Sequence, residues 1–301
     1  MNIHFIGLGE RIMGDLAMSL SQQGHAITGS DVAYSDTSFN RLRSEVPSIA
    51  AQNGWFPQHI QSNLDMIIVG SEVHADNPEL QAAQQLGLPI CSYPEYIYRY
   101  AQDKQRIVIM GGTEKKLLCL LVLHVLEHLH QPFDYIVASP KLEASVQLSN
   151  APIIIIEGGM TPASCLDTQP QSLYYQHNMA LIGGVGWESN STDLTLEAYL
   201  AQLTKLADAS PKGGTLIYYE EDNLIHAIGS QARADVRAVP YQAHPHRYKE
   251  QQAYLIAPQK DILSPDGAHV MCAIAGAQQL LRNLAISDQP FYEALATFFE
   301  K

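Results

Sequence analysis

Residues 2–31 read NIHFIGLGERIMGDLAMSLSQQGHAITGSD. Residues 2–6 are a short apolar strand, and Gly7-Leu8-Gly9 turns the chain. Helical spacing then runs over 13–23, with Gly24 as a stop. A second strand begins at 25–28 and ends on Gly29-Ser30-Asp31. Strand, glycine turn, helix and strand in this order are the grammar of a parallel sheet covered by helices.

The same grammar continues outward from this stretch. Residues 65–69 (DMIIV) form a strand, Asn77-Pro78-Glu79 opens a helix with proline in its first turn, and 88–91 is a further strand. A polar stretch, 100–105, separates this unit from a second one. There 106–118 reads RIVIMGGTEKKLL: a strand over 107–110, the turn Gly111-Gly112, and an apolar helix over 116–129. Strands follow at 153–156, 179–182 and 215–219, and helical periodicity at 195–207, 268–284 and 290–299. The expected fold is α/β: a Rossmann-like domain over 1–105 and a P-loop-type central domain over 106–301.

Composition narrows the function classes. The chain has 301 residues, 46% apolar and 16% charged, enough for two packed cores. Its formal net charge of -13 argues against nucleic acid as the main partner. The four cysteines, Cys91, Cys119, Cys165 and Cys272, form no CxxC pair and read as reduced thiols. No signal peptide or membrane span is read, so a cytoplasmic protein is expected. His124, His128 and His130 raise a metal cluster, but the surface and core of a helix account for them better. His244 and His246 read as a solvent-exposed loop, and the charges near 249–261 as a solvated face.

Two glycine turns carry the chemistry. Gly7 and Gly9 let a phosphate approach a helix N-terminus, although a dinucleotide fingerprint wants glycine where Ile12 stands. Ser30-Asp31 ends the second strand, where such a unit places a ribose- or base-reading acid. The second turn has the strand–glycine–lysine–helix layout of a P-loop. A working loop wants a glycine before the lysine and a hydroxyl after it to hold magnesium. Here Lys115 precedes Lys116 and Leu117 follows. If the backbone at 115 needs positive φ, the lysine crowds the loop.

The whole chain resembles the Mur ligase family, in the branch that joins amino acids or a tripeptide to UDP-N-acetylmuramate. HFIGLGERIMGDLA (4–17) is similar to FIGIGGxxMGxLA, and GHAITGSD (24–31) to GHxVTGSD. DNPELQAAQQLGLPICSYPEYI (76–97), FDYIVAS (133–139), LSNAPIIIIEG (148–158), HNMALIGGVGWE (177–188), KGGTLIYYEED (212–222) and GAHVMCAIAGA (267–277) follow in the family's order. The resemblance implies a first domain for the UDP-sugar, a second for ATP and a third for the incoming amine, the third lying beyond this chain. It also implies acyl-phosphate formation helped by magnesium. Carried over residue by residue, the UDP-sugar set is Gly7, Gly9, Ser30, Asp31 and Asn77, and the nucleotide set is Gly112, Thr113 and Lys116.

Departures cluster on the second set. GTxGKTT is GTEKKLL here, EGDE is Glu157-Gly158-Gly159-Met160, and WDH is Trp187-Glu188-Ser189. In GxHNxxN, Gly267 and His269 survive, while Val270 and Ala273 replace the asparagines. Losing one electrostatic element of this kind removes roughly 3–4 kcal/mol of transition-state stabilisation. Lys116, Glu157 and His269 are therefore expected to be relics, with no catalytic residue, no metal site and no cofactor; ATP and magnesium return only if the site still works. Glu10, where the family has glycine, puts a side chain at the sugar-nucleotide turn. Expected partners are a UDP-muramyl ligand, or a protein partner or second copy of the chain docked on the exposed central domain. The alternative is an active ligase completed by a separate third domain.

Overall fold

The computed structural model describes residues 1–32, 42, 50–185 and 195–299. The chain divides into two compact units. The first contains 1–103, 134–150 and 159–175; the second contains 104–133, 151–158 and 176–301.

In the first unit, β1 (Asn2–Ile6), β2 (Ala26–Asp31), β3 (Ala50–Asn53), β4 (Met66–Val69) and β5 (Ile90–Ser92) form a sheet in the order β3-β2-β1-β4-β5. Every pairing is parallel. The direction of travel across the sheet reverses between β1 and β4. The mouth of a doubly wound sheet lies at such a point, beyond the C-terminal ends of the strands. The apolar run of β1 buries Ile3, Phe5 and Ile6 completely, as expected for a strand covered on both faces. The helix α1 (Arg11–Gln22) lays Met13, Leu16 and Leu20 on that sheet, and Gly24, at φ +88°, turns the chain back. Asn77 caps α2 (Pro78–Gln85), accepting from the amides of Glu79 (2.9 Å) and Leu80 (3.1 Å). Ser92 caps α3 (Tyr93–Tyr100), which the sequence reading had missed.

In the second unit, β6 (Gln105–Met110), β7 (Ile153–Glu157), β8 (Met179–Ile182), β9 (Thr215–Tyr219) and β10 (Arg237–Tyr241) run in the order β10-β9-β8-β6-β7, again all parallel. The helix α4 (Lys115–His128) buries Leu118, Leu121, Val122 and Val125. Around the sheet stand α5 (Leu196–Asp208), α6 (Asn223–Ser230), α7 (Ala268–Asn283) and α8 (Asp288–Phe298). A small antiparallel sheet, β11 (His246–Lys249), β12 (Gln252–Leu255) and β13 (Ile262–Ser264), joins them.

That sheet corrects the reading of 244–246 as an exposed loop. His246 begins a strand, and His244 is buried, with Nε2 2.8 Å from the Tyr292 hydroxyl. Of the histidines on α4, His124 is a packing group, its Nε2 3.0 Å from the Ala294 carbonyl and 2.9 Å from Thr297 Oγ1 on α8, while His128 is exposed. Among the described residues, no helix is long and apolar enough to cross a membrane.

Candidate functional site

The first glycine turn is shaped by hydrogen bonds to the end of β2. The amides of Gly7 and Leu8 both donate to the Ser30 carbonyl, at 3.0 and 3.1 Å, and Gly7 takes φ +89°. The Gly9 amide donates to Asp31 Oδ2 at 2.8 Å. Ser30 Oγ donates to Glu79 Oε2. Gly7, Gly9, Ser30 and Asp31 thus gather at one turn, and Asn77 serves as the cap of α2. Each of these polar groups has a partner inside the unit.

Two glutamates at this turn were not read from the sequence as site residues with partners. Glu79 is fully buried, where desolvation alone would raise its carboxyl. His4 Nε2 at 3.3 Å, the Ser30 hydroxyl and the Phe56 amide at 2.6 Å outweigh burial and hold it below the ordinary range. His4 is fixed in turn by Thr28 Oγ1 at 2.7 Å. Glu10 precedes α1 and bends back over the turn. Its Oε2 accepts from Ser71 Oγ at 3.0 Å, and its Oε1 from the Glu72 amide at 3.1 Å. Burial raises the Glu10 carboxyl, aided by the charges of Glu72 and Asp31 and opposed by those two hydrogen bonds.

The second turn departs from expectation at one place. Lys115 does not crowd the loop: it opens α4 in helical conformation, and the positive φ falls on Gly111, at +151°. The side chain in the turn is that of Glu114, only 3% exposed. The Gly112 amide is shared between Glu114 Oε1 (3.1 Å) and the Gly184 carbonyl (2.9 Å). Burial pushes the Glu114 carboxyl up, the amides of Glu114 itself, Gly112 and Gly184 pull it down, and Asp222 pushes it up again; the direction is upward. Asp222 accepts from the Val185 amide at 2.9 Å and caps α6. The buried Tyr199 hydroxyl has no hydrogen-bond partner among the described residues; burial raises it to about 12, with Glu114 and Asp222 adding to the shift.

The lysines of the turn point elsewhere. Lys115 Nζ donates to the Gly158 carbonyl at 2.9 Å and lies 3.5 Å from Glu157 Oε1. Lys116 Nζ lies 3.7 Å from the same oxygen. Thr113 is exposed, and Leu117 lies half-buried in the first turn of α4. His269 is exposed in the first turn of α7, while Val270 and Ala273 are buried. Gly159 belongs to the first unit, its carbonyl accepting from the Ser172 amide at 3.1 Å. Trp187, Glu188 and Ser189 lie outside the described residues. Among the described residues, no group of three or more His, Cys, Asp or Glu side chains is placed to hold a metal.

Comparison with known proteins gives the same direction. Residues 2–105 match the model of the Mur ligase family, catalytic domain. A UDP-N-acetylmuramate–L-alanine ligase from Halorhodospira halophila is 26% identical, over 98% of this chain and 62% of that protein. One from Carboxydothermus hydrogenoformans is 31% identical, over 45% of this chain and 28% of that protein. The chain spans less than two thirds of the length of these relatives. Among solved structures, the UDP-N-acetylmuramate:L-alanyl-γ-D-glutamyl-meso-diaminopimelate ligase of Neisseria meningitides superposes with TM-score 0.83 at 18% identity, covering 98% of this chain and 97% of that one. The UDP-N-acetylmuramate–alanine ligase of Thermotoga maritima gives 0.73 at 18% identity, over 99% of this chain and 68% of that one. The family model thus falls on the first third of the chain, and the chain is similar to curated UDP-N-acetylmuramate–L-alanine ligases over nearly its whole length.

Proposed function

We propose that the chain is a Mur ligase-like protein of peptidoglycan precursor synthesis or recycling that carries no ligase activity of its own. One observation carries this reading: Lys116 and Lys115 both face Glu157, at 3.7 and 3.5 Å. In a working loop the lysine neutralises a transferring phosphoryl group, and the acid helps to hold magnesium. Here cation and anion neutralise each other. The residues present do not fit the metal. Leu117 offers no hydroxyl, and Gly159-Met160 no carboxylate. The adenine side fares no better, since buried Val270 and Ala273 stand where the family has asparagines.

Calorimetry with ATP and magnesium tests this reading, together with phosphate release in the presence of UDP-N-acetylmuramate and an amine. No heat of ATP binding and no phosphate above background are expected. ATP-dependent phosphate release on adding a separate third domain favours the active-ligase alternative instead.

A second reading, pairing with a genuine Mur ligase, has its own observation. In the second unit β12, β13 and α8 line a cavity of about 960 Å³ with Tyr254, Ile262, Leu263, Tyr292 and Phe299 on its walls. Leu263 and, nearby in sequence, Tyr248 and Ile256 are exposed. Co-purification with a Mur ligase, abolished by Leu263→Asp, is the expected outcome; unchanged co-purification moves the contact elsewhere.

A further inference from the structure

Glu10 and Glu114 occupy equivalent places. Each is the fourth residue after the end of its unit's first strand, Ile6 of β1 and Met110 of β6, in the turns Gly7-Leu8-Gly9-Glu10 and Gly111-Gly112-Thr113-Glu114. Each is the last residue before its helix, α1 or α4. Each leans toward the glycine that follows the neighbouring parallel strand: Gly70 after β4, which pairs with β1, and Gly183 after β8, which pairs with β6. A Cβ placed on Gly70 would overlap Glu10 Oε1, and one on Gly183 or Gly111 would overlap Glu114 Oε1. Both glycine corners are thus filled by a carboxylate, one on the amide of Glu72 and the other on the amide of Gly112.

We propose that Glu10 and Glu114 are tethered anions, each lying in the phosphate cradle of its own unit and excluding nucleotide phosphates from it. A glycine turn at a helix N-terminus attracts an anion because its amides and the helix dipole point at one spot. A carboxylate supplies acceptor oxygens and a negative charge, which are what a phosphate would bring. Because the chain carries it, its effective concentration is on the order of millimolar or higher. A free phosphate must displace that carboxylate and enter beside its charge. In the second unit the Asp222 carboxylate adds a further negative charge close by, which raises Glu114 in addition to the larger effect of burial. The inference goes beyond the loss of ligase chemistry. It concerns the admission of phosphates at both turns, a step that precedes any phosphoryl transfer.

The probe is inorganic pyrophosphate, titrated into the full chain and into Glu10→Ala, Glu114→Ala and the double variant. The wild type is expected to give no saturable binding and no change in Tm at millimolar pyrophosphate. Each single variant is expected to gain one site and a Tm that rises with ligand concentration, and the double variant two sites. Wild-type binding equal to that of the variants overturns the proposal. So do folded single variants that bind nothing, because a merely structural carboxylate leaves only a loss of stability. Should the alanine variants fail to fold, amide NMR of the wild type decides. The Glu72 and Gly112 amide protons must shift with the titration of Glu10 and Glu114, and pH-invariant amides overturn the proposal. ATP hydrolysis by the double variant would contradict the statement that the residues present do not fit the metal, while leaving this proposal standing.

Discussion

The two glycine turns share a layout and differ in what holds it. In the first unit, carboxylates do most of the bracing. Asp31 takes the Gly9 amide, and Glu79 collects His4, Ser30 and the Phe56 amide. In the second unit, Glu114 has backbone amides but no side-chain donor among its hydrogen bonds, and Asp222 acts on it with like charge. A carboxylate that gathers side-chain and backbone donors from several elements fastens a fold together. One held by backbone amides alone, those of its own turn and of Gly184, does less fastening and mainly fills a space. Glu79 is held below its ordinary range and Glu114 above it, although both are buried. That contrast separates the scaffold from the plug.

The largest expected effect breaks the scaffold side. Glu79→Ala leaves the Ser30 hydroxyl, the Phe56 amide and His4 without their shared acceptor in a fully buried place. Stranded buried donors of this kind destabilise by about 3–5 kcal/mol in total. Urea unfolding of the variant reads this as a lowered midpoint; a change under 1 kcal/mol, roughly the net worth of one ordinary hydrogen bond, would sink the bracing role. Next comes Gly183→Ala, whose new Cβ would drive the Glu114 carboxylate out of its corner. Overpacking of this kind is expected to destabilise by about 1–3 kcal/mol. The double variant Gly183→Ala/Glu114→Ala should recover most of that loss, because the clash is with the removed carboxylate. No recovery would mean that the strain lies in the Gly183 backbone.

A smaller effect sharpens the comparison through pH. Glu10 and Glu114 are raised in the folded state, so folding is favoured when they are protonated. Their contribution is fully present below the ordinary glutamate value and is lost as pH rises through their raised values. Glu79 has the opposite sign: its contribution is present above the ordinary value and is lost as pH falls through its lowered one. Relative to Glu10→Gln/Glu114→Gln, the wild type should therefore gain stability as pH falls from neutral into the upper carboxylate range. Parallel stability curves for the two proteins between pH 7 and roughly pH 5 would contradict the raised carboxyls.

Much of the scaffold was legible because it is local. Apolar strands at 2–6 and 107–110, followed by glycine and then helical spacing, specify strand–turn–helix without knowledge of partners. The helices expected at 116–129 and 268–284 are found as Lys115–His128 and Ala268–Asn283. What escaped depends on residues distant in sequence. The strands β11–β13 are three or four residues long and β11 is exposed throughout, so their pairing with one another defines them. Glu10 stood out as a side chain where the family has glycine, but its role needs Gly70, Ser71 and Glu72, sixty residues on. Loop chemistry points to Lys115 rather than Glu114, because a P-loop is recognised by its lysine. The signal was present in the sequence as a second Gly-x-x-Glu after a strand.

The smallest expected effect lies at the lysine that the motif makes most conspicuous. Lys116 is 45% exposed, and its 3.7 Å approach to Glu157 is an ion pair largely open to water. Such pairs contribute about 0–1 kcal/mol, because solvent screens the attraction and two long side chains lose freedom. Lys115 also faces Glu157 and keeps its charge compensated when Lys116 is removed. Lys116→Ala should therefore leave the urea midpoint almost unchanged and alter no ATP-dependent phosphate release, whereas the same change in a working loop removes a group on the transferring phosphate. Any measurable fall in ATP-dependent turnover on Lys116→Ala would show that the second turn still handles a phosphate, and would place the two turns in different functional states instead of one shared closed state.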